Sequence, residues 1–165
     1  MWSNRHLTPE QFFVEKLSYD SETGVLTWKE KVRNAEVGDV AGSTSVQGYR
    51  VVYANGAQFK AHRVAWLLYY GEWPGKYIDH INGIRDDNRI VNLRDVAPSV
   101  NSQNLKSATA RSSTGRLGVY KARSKWTASI CTGGKRTHLG LFKTIEQAEA
   151  AYLDAKRRLH EGCSI

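Results

Sequence analysis

The chain has 165 residues, a net charge of +8 at neutral pH, 41% hydrophobic and 24% charged residues, so it forms one larger domain or two small ones of ordinary folded-protein composition. No apolar run approaches the length of a membrane span, and the first residues lack the apolar stretch of a signal peptide. Two cysteines, Cys131 and Cys163, sit far apart without a CxxC pair, which argues against a zinc-ribbon or disulfide scaffold and points to a reducing cytoplasm.

Thr8-Pro9-Glu10-Gln11 predicts a helix over about 9–17, with Thr8 as cap, Pro9 at the first helical position and Gln11 closing a capping box. Gly24 then turns the chain into a strand around 25–29. In GYRVVYANGAQFKAH, Asn55-Gly56 is a strong hairpin signal between two strands. HRVAWLLYYG has the helical spacing of Val64, Leu67 and Leu68, with Gly71 as a stop. A strand within KYIDHI, a long loop, a strand within IVNLRDVA and a short polar helix, PSVNSQNLKSA, opened by Pro98, follow. Residues 107–116 read as a linker. Three short strands and a helix from about Thr144 to His160 complete the chain. Ile145, Ala148, Ala151, Tyr152, Ala155 and Leu159 give that helix an apolar face. Trp28, Trp66 and Trp73 read as core.

The charge is unevenly placed. Residues 1–105 hold 12 basic and 12 acidic side chains, whereas 106–165 hold 12 basic against 4 acidic. Between 106 and 143 there are nine basic residues and no acidic one. Such a surface is the footprint of a polyanion binder, and double-stranded DNA is the partner it suggests.

The most specific stretch is DHINGIRDDNRIVNLRDVAPSVNSQN. Asp79-His80 ends one strand, Asn92 lies 12 positions after His80 at the start of the next, and Asn101 follows after 9 more, on the helix. A lone Asp-His dipeptide is usually surface decoration, and Asn82, Asn88 and Asn104 read as turn residues. The joint spacing is harder to explain that way. It resembles the HNH nucleases, particularly the phage homing endonucleases in which the last His of the motif is Asn. The resemblance implies a ββα-metal fold with its core at 77–106, as strand 77–81, strand 91–96 and helix 98–106.

Phosphodiester hydrolysis needs an activated water, a cation at the phosphate and help for the leaving oxygen. Asp79 and Asn101 offer hard oxygen donors for one Mg²⁺ or Mn²⁺ ion. His80 titrates near neutrality and suits the general base. Neighbouring strand residues face opposite sides, so Asp79 and His80 must sit at a strand end or distortion to reach one phosphate. From the family, Asn92 is expected to hold the loop and help orient the base. Arg63, beside His62, is a candidate phosphate clamp. Arg85, Asp86 and Asp87 are expected to shape the loop between the strands.

From Gly118 the chain resembles the Apetala/ethylene-response-factor DNA-binding domain, through GVY, KWTASI, HLGLF and the helix TIEQAEAAYLDAKRRLH. That resemblance implies a sheet laid in the major groove. Arg116, Tyr120, Lys121, Arg123, Lys125, Trp126, Lys135, Arg136 and His138 are the candidate DNA contacts, with Tyr120, Arg123, Trp126, Arg136 and His138 facing outward. Leu117, Ser129 and Cys131 stand where plant members carry groove-reading Arg or Glu, and His138 stands for a Trp, so the plant target sequence does not transfer.

The sequence therefore predicts an α+β protein. Residues 1–106 hold the HNH nuclease, 107–116 the linker, and 117–165 a three-stranded antiparallel sheet packed on one helix. A DNA-binding regulator with a vestigial nuclease fold and a non-specific nuclease are the rival readings. No membrane and no obligate protein partner are expected.

Overall fold

The computed structural model describes residues 7–109, 111–160 and 162–163. The chain divides into two compact units, residues 1–96 and 97–165. Both mix helices with small antiparallel sheets. No helix among the described residues is long and apolar enough to cross a membrane.

The first unit opens with α1 (Pro9–Lys16), whose capping box is formed as predicted: Thr8 Oγ1 accepts from Gln11 N, and Gln11 Oε1 accepts from Thr8 N. Leu17 leaves the helix, extended and buried, and starts β1 (Leu17–Tyr19), where the sequence predicted helix to about residue 17. β1 pairs with β2 (Leu26–Trp28). β3 (Ser43–Thr44), unforeseen in the sequence, pairs with β4 (Arg50–Ala54), and β4 with β5 (Ala57–Lys60). At the hairpin tip Asn55 and Gly56 both have positive φ, 52° and 80°, as a type I′ turn requires. α2 (Ala61–Tyr70) runs directly on and stops at Gly71, which is left-handed at φ 80°. Phe13, Leu17, Leu26, Val52, Val64 and Leu67 form the core of this unit, with Trp28 and Trp73 packed against it.

β6 (Tyr77–His80) and β7 (Leu93–Val96) make a two-stranded hairpin. The predicted strand 91–96 begins later than expected, because Ile90–Asn92 form a turn of 3₁₀ helix first. Ile78 and Leu93 are buried with Ala65 of α2, and Tyr19 and Trp66 pack against them. A two-stranded hairpin is marginal alone, and burying Ile78 and Leu93 contributes about 1.5–3 kcal/mol each. That cluster fastens the hairpin to α2.

In the second unit α3 (Pro98–Gln103) is shorter than the predicted 98–106 and buries no residue. Its Ser and Asn side chains compete for backbone groups, and no apolar stripe extends it. The predicted linker contains a local network: Thr114 Oγ1 donates to the Val119 carbonyl at 2.8 Å. β8 (Val119–Ala122), β9 (Lys125–Thr132) and β10 (Lys135–Phe142) form an antiparallel sheet in the order β10-β9-β8. α4 (Ile145–Leu159), capped by the Thr144–Gln147 box, packs on one face. Val119, Ala128, Ile130, Ala148, Tyr152 and Ala155 form the core between them. Lys156, almost wholly buried, donates from Nζ to the Leu105 carbonyl.

Gly24 (φ +76°) brings the β1–β2 turn against the loop before β7. A Cβ there would lie 2.5 Å from Arg89 N and 2.6 Å from the Asn88 carbonyl carbon. Gly24→Ala should therefore destabilise the first unit by about 2 kcal/mol or more, from overpacking and left-handed strain combined. Thermal and denaturant unfolding of the full chain would check this, a wild-type midpoint refuting it.

Candidate functional site

β6 carries Asp79 and His80 into buried positions, 6% and 5% exposed. His80 is the last residue of the strand, so the pair does sit at a strand end. Asp79 lies opposite Arg94 in the β6–β7 register. Its Oδ2 accepts from Arg94 Nε at 2.8 Å and Nη2 at 2.6 Å. A carboxylate so far from water needs such a partner, since burying a charge alone costs several kcal/mol (roughly) per ion.

His80 is held differently. Its Nε2 lies 3.2 Å from Asn88 Oδ1. An amide oxygen only accepts, so the neutral ring donates from Nε2 and carries its basic lone pair on Nδ1. The ring meets His62 edge-on, centroids 5.0 Å apart at 72°, and lies 6.0 Å from Tyr49. Burial pushes the His80 pKa down, against the opposing pull of the Asn88 hydrogen bond and the Asp79 charge. The imidazole is thus neutral near neutral pH, as a proton acceptor must be.

Asn88 is the residue the sequence reading missed. Read as a turn residue, it is instead 2% exposed and touches His80 directly, while its carbonyl accepts from Tyr19 Oη at 2.7 Å. Nothing local distinguishes Asn88 from Asn82 in the sequence. Only the fold brings Tyr19, 69 positions away, to fix it.

Asn92 hydrogen-bonds within the loop, from the 3₁₀ turn rather than from the strand. Its Oδ1 accepts from Asn82 N at 2.9 Å, and its Nδ2 donates to the Asp87 carbonyl at 2.8 Å. Asp87 completes the loop by accepting from Arg89 (2.8 and 2.6 Å) and from Asn82 Nδ2 (2.6 Å). The Arg89 guanidinium, more than any other partner, holds the Asp87 carboxyl down at about 2.

Two of the expected DNA contacts are engaged within the protein. Arg63 donates to the carbonyls of Lys76 (3.0 Å) and Pro74 (3.3 Å), so its guanidinium ties the α2–β6 connection. The reason is helical geometry: successive residues of α2 point about 100° apart, and His62, not Arg63, takes the direction of His80. Trp126 does not face outward. It shares a sheet face with Ala128 and Ile130 and packs against the core under α4, with Lys121 Nζ 4.2 Å above its ring. Strand alternation decides this.

The opposite face carries Tyr120, Arg136 and His138. Arg136 Cζ lies 5.8 Å from the Tyr120 ring, and Thr127 Oγ1 lies 3.2 Å from His138 Nδ1. Arg123 is exposed in the β8–β9 turn at φ 53°. Lys125 and Lys135 are exposed at strand beginnings. Arg116 pairs with Glu149 at 3.0 Å. Among the described residues Lys121, Arg123, Lys125, Lys135 and Arg136 have no carboxylate ion-pair partner.

Asn101 lies on α3, in the second unit, whereas Asp79 and His80 belong to the first. Among the described residues no group of three or more His, Cys, Asp or Glu could hold a metal ion. The Asp79 carboxylate is a hard oxygen donor of the kind divalent cations take. Any ion at Asp79 shares that carboxylate with Arg94.

The buried Asp-His pair, the Asn-braced loop and the adjoining hairpin all lie within residues 59–103, which match the HNH endonuclease family, and the chain belongs to that family. It is 30% identical over 103 residues to "Protein 3.8" of Escherichia phage T7, covering 61% of this chain and 84% of that protein. No solved structure matches it. The family supports nuclease activity on DNA, and its members generally use divalent metal ions.

His62 offers a test of the buried cluster. Its pKa is pushed from 6.5 down to about 3, first by burial and then by His80, Lys60 and Arg63. The unfolded chain therefore takes up a proton that the folded one refuses, and the His62 contribution to stability, complete above pH 6.5, is lost as pH falls toward 3. Unfolding free energies measured across that window should fall with pH, and His62→Gln should flatten the slope. An unchanged slope in the variant would contradict the burial of a neutral ring.

Proposed function

We propose that this chain is a Mg²⁺- or Mn²⁺-dependent endonuclease acting on double-stranded DNA, of the phage homing type, with a C-terminal unit that holds the duplex. The observation that carries it is His80. It is buried, neutral and oriented by Asn88, next to the buried carboxylate of Asp79 and inside the HNH match.

In this reading Asp79 would give a carboxylate oxygen to one divalent ion, which would supply charge neutralisation at the phosphate and leaving oxygen. His80 Nδ1 takes the proton of the attacking water, and the Nε2–H···Asn88 hydrogen bond keeps the ring in the tautomer this requires. Asn92 keeps the 82–87 loop closed, so that Asn88 stays beneath His80. In-line attack with loss of the 3′ oxygen leaves 5′-phosphate ends.

The sheet of the second unit serves as the DNA-holding surface, in keeping with its resemblance to the ethylene-response-factor domain. Support comes from charge and facing. Tyr120, Arg136 and His138 share one face, Arg123, Lys125 and Lys135 line its turns, and among the described residues none of these cations is neutralised by a carboxylate. Lys121 and Arg116 contribute from the sheet's other face and its border, Arg116 through a pair with Glu149 that a phosphate would have to exchange. Trp126 supports the sheet from beneath.

Plasmid nicking with Mg²⁺ and with EDTA tests the activity. His80→Ala should lower the rate by about 10²-fold or more while leaving duplex binding nearly intact. A variant that cuts at the wild-type rate sinks the mechanism, and a wild-type chain that binds but never nicks favours the regulator instead. Discrete fragments from a phage genome, as opposed to a smear, mark a site-preferring enzyme.

A further inference from the structure

Beside His80 the first unit holds two cations against a single aromatic ring. Lys60, at the end of β5, places Nζ 3.5 Å from the Tyr49 centroid, and Arg85, in the β6–β7 loop, places Cζ 5.2 Å from it. Arg85 is anchored there by Nη1, which donates to the Gln47 carbonyl at 2.7 Å. The Tyr49 ring in turn stands 5.5 Å from His62 and 6.0 Å from His80. His62 Nδ1 is buried in this cluster without a hydrogen-bond partner.

The arrangement is electrostatically incomplete. Like charges on neighbouring side chains repel, and burial together with the Arg85 charge pushes the Lys60 pKa down. Among the described residues neither Lys60 nor Arg85 forms an ion pair. The loop's own acids do not answer them, since Asp87 is engaged by Arg89 and Asn82, and Asp86 makes no salt bridge. Cation–π contact with one ring holds both cations in place but leaves the net positive charge standing. An anion between or before them would remove the repulsion and gain charge-assisted hydrogen bonds from the ammonium and the guanidinium.

We infer that Lys60 and Arg85, braced on Tyr49, form a phosphate-binding cradle that takes one or two backbone phosphates of the DNA duplex beside His80. The inference rests on the nuclease reading for the identity of its ligand, and it assigns a phosphate-holding role that Arg63, tied to the carbonyls of Pro74 and Lys76, does not fill. Tyr49 is a positioning residue here, because it touches the cations and not the phosphate.

The test is a salt titration of binding. The full chain, in EDTA so that no cutting occurs, is titrated against a short labelled synthetic duplex by fluorescence anisotropy over a range of salt. Each phosphate contact contributes about 0.9 to the slope of log K against log salt. Lys60→Gln/Arg85→Gln should therefore reduce the slope by about 1–2, while Lys60→Arg/Arg85→Lys should keep most of it. In Mg²⁺ the Gln pair should also lower kcat/KM at least about tenfold, as loss of one phosphate-positioning contact does. A wild-type slope in the Gln pair overturns the cradle, whatever happens to cleavage. So does an equal loss in the charge-conserving pair, which would show disruption of the Tyr49 cluster and not loss of charge. Failure of the nuclease reading looks different: the wild-type chain would not nick DNA, yet the slope change would still appear if the cradle exists.

Discussion

A strand turns successive side chains to opposite faces, and this chain places two buried polar side chains, Asp79 and His80, next to each other at the end of one. Each consequently needs its own support. Asp79 is met across the hairpin by Arg94, its register partner, and His80 is met by Asn88 and the rings of His62 and Tyr49. A hairpin this short does not hold two buried polar groups by its own hydrogen bonds. The Ile78–Leu93–Ala65 cluster fixes it to α2, Tyr19 fixes Asn88 from β1, and Asn92 closes the loop between.

The same burial that costs stability sets the chemistry. Water would keep His80 titrating in its ordinary range and Asp79 solvated. Enclosure keeps the imidazole neutral and makes the carboxylate depend on a cationic partner, which Arg94 supplies. In the cradle we infer, the Lys60–Arg85 pair extends this logic to the substrate. A site whose positive charges outnumber their carboxylate partners is pre-arranged for a ligand that brings the missing charge.

The second unit solves a different problem with different means. Its core is a single layer of small and aromatic side chains between a three-stranded sheet and α4, which leaves one sheet face with no apolar obligation. Residues 106–165 hold 12 basic side chains against 4 acidic ones, and in the function proposed above a polyanion relieves the repulsion among them.

Much of this was legible in the residues themselves. Capping boxes, the Asn55-Gly56 turn, the Gly71 stop and the alternation of β9 are local, and local chemistry encodes them. So are the spacing of Asp79, His80 and Asn92 and the crowding of charge after residue 105, which named the class of chemistry before any coordinates. What lay beyond local reading were the contacts closed over long separations. Asn88 is given its place by Tyr19, His62 faces His80 while Arg63 is taken up by the Pro74–Lys76 backbone, and Lys60 meets Arg85 on Tyr49. Strand pairing alone put Trp126 beneath the sheet, because register, not composition, chooses the face. Residue types and spacing determined what chemistry this chain could support; only tertiary packing, which desolvates some polar groups and leaves others exposed, decided which side chains stand close enough to perform it.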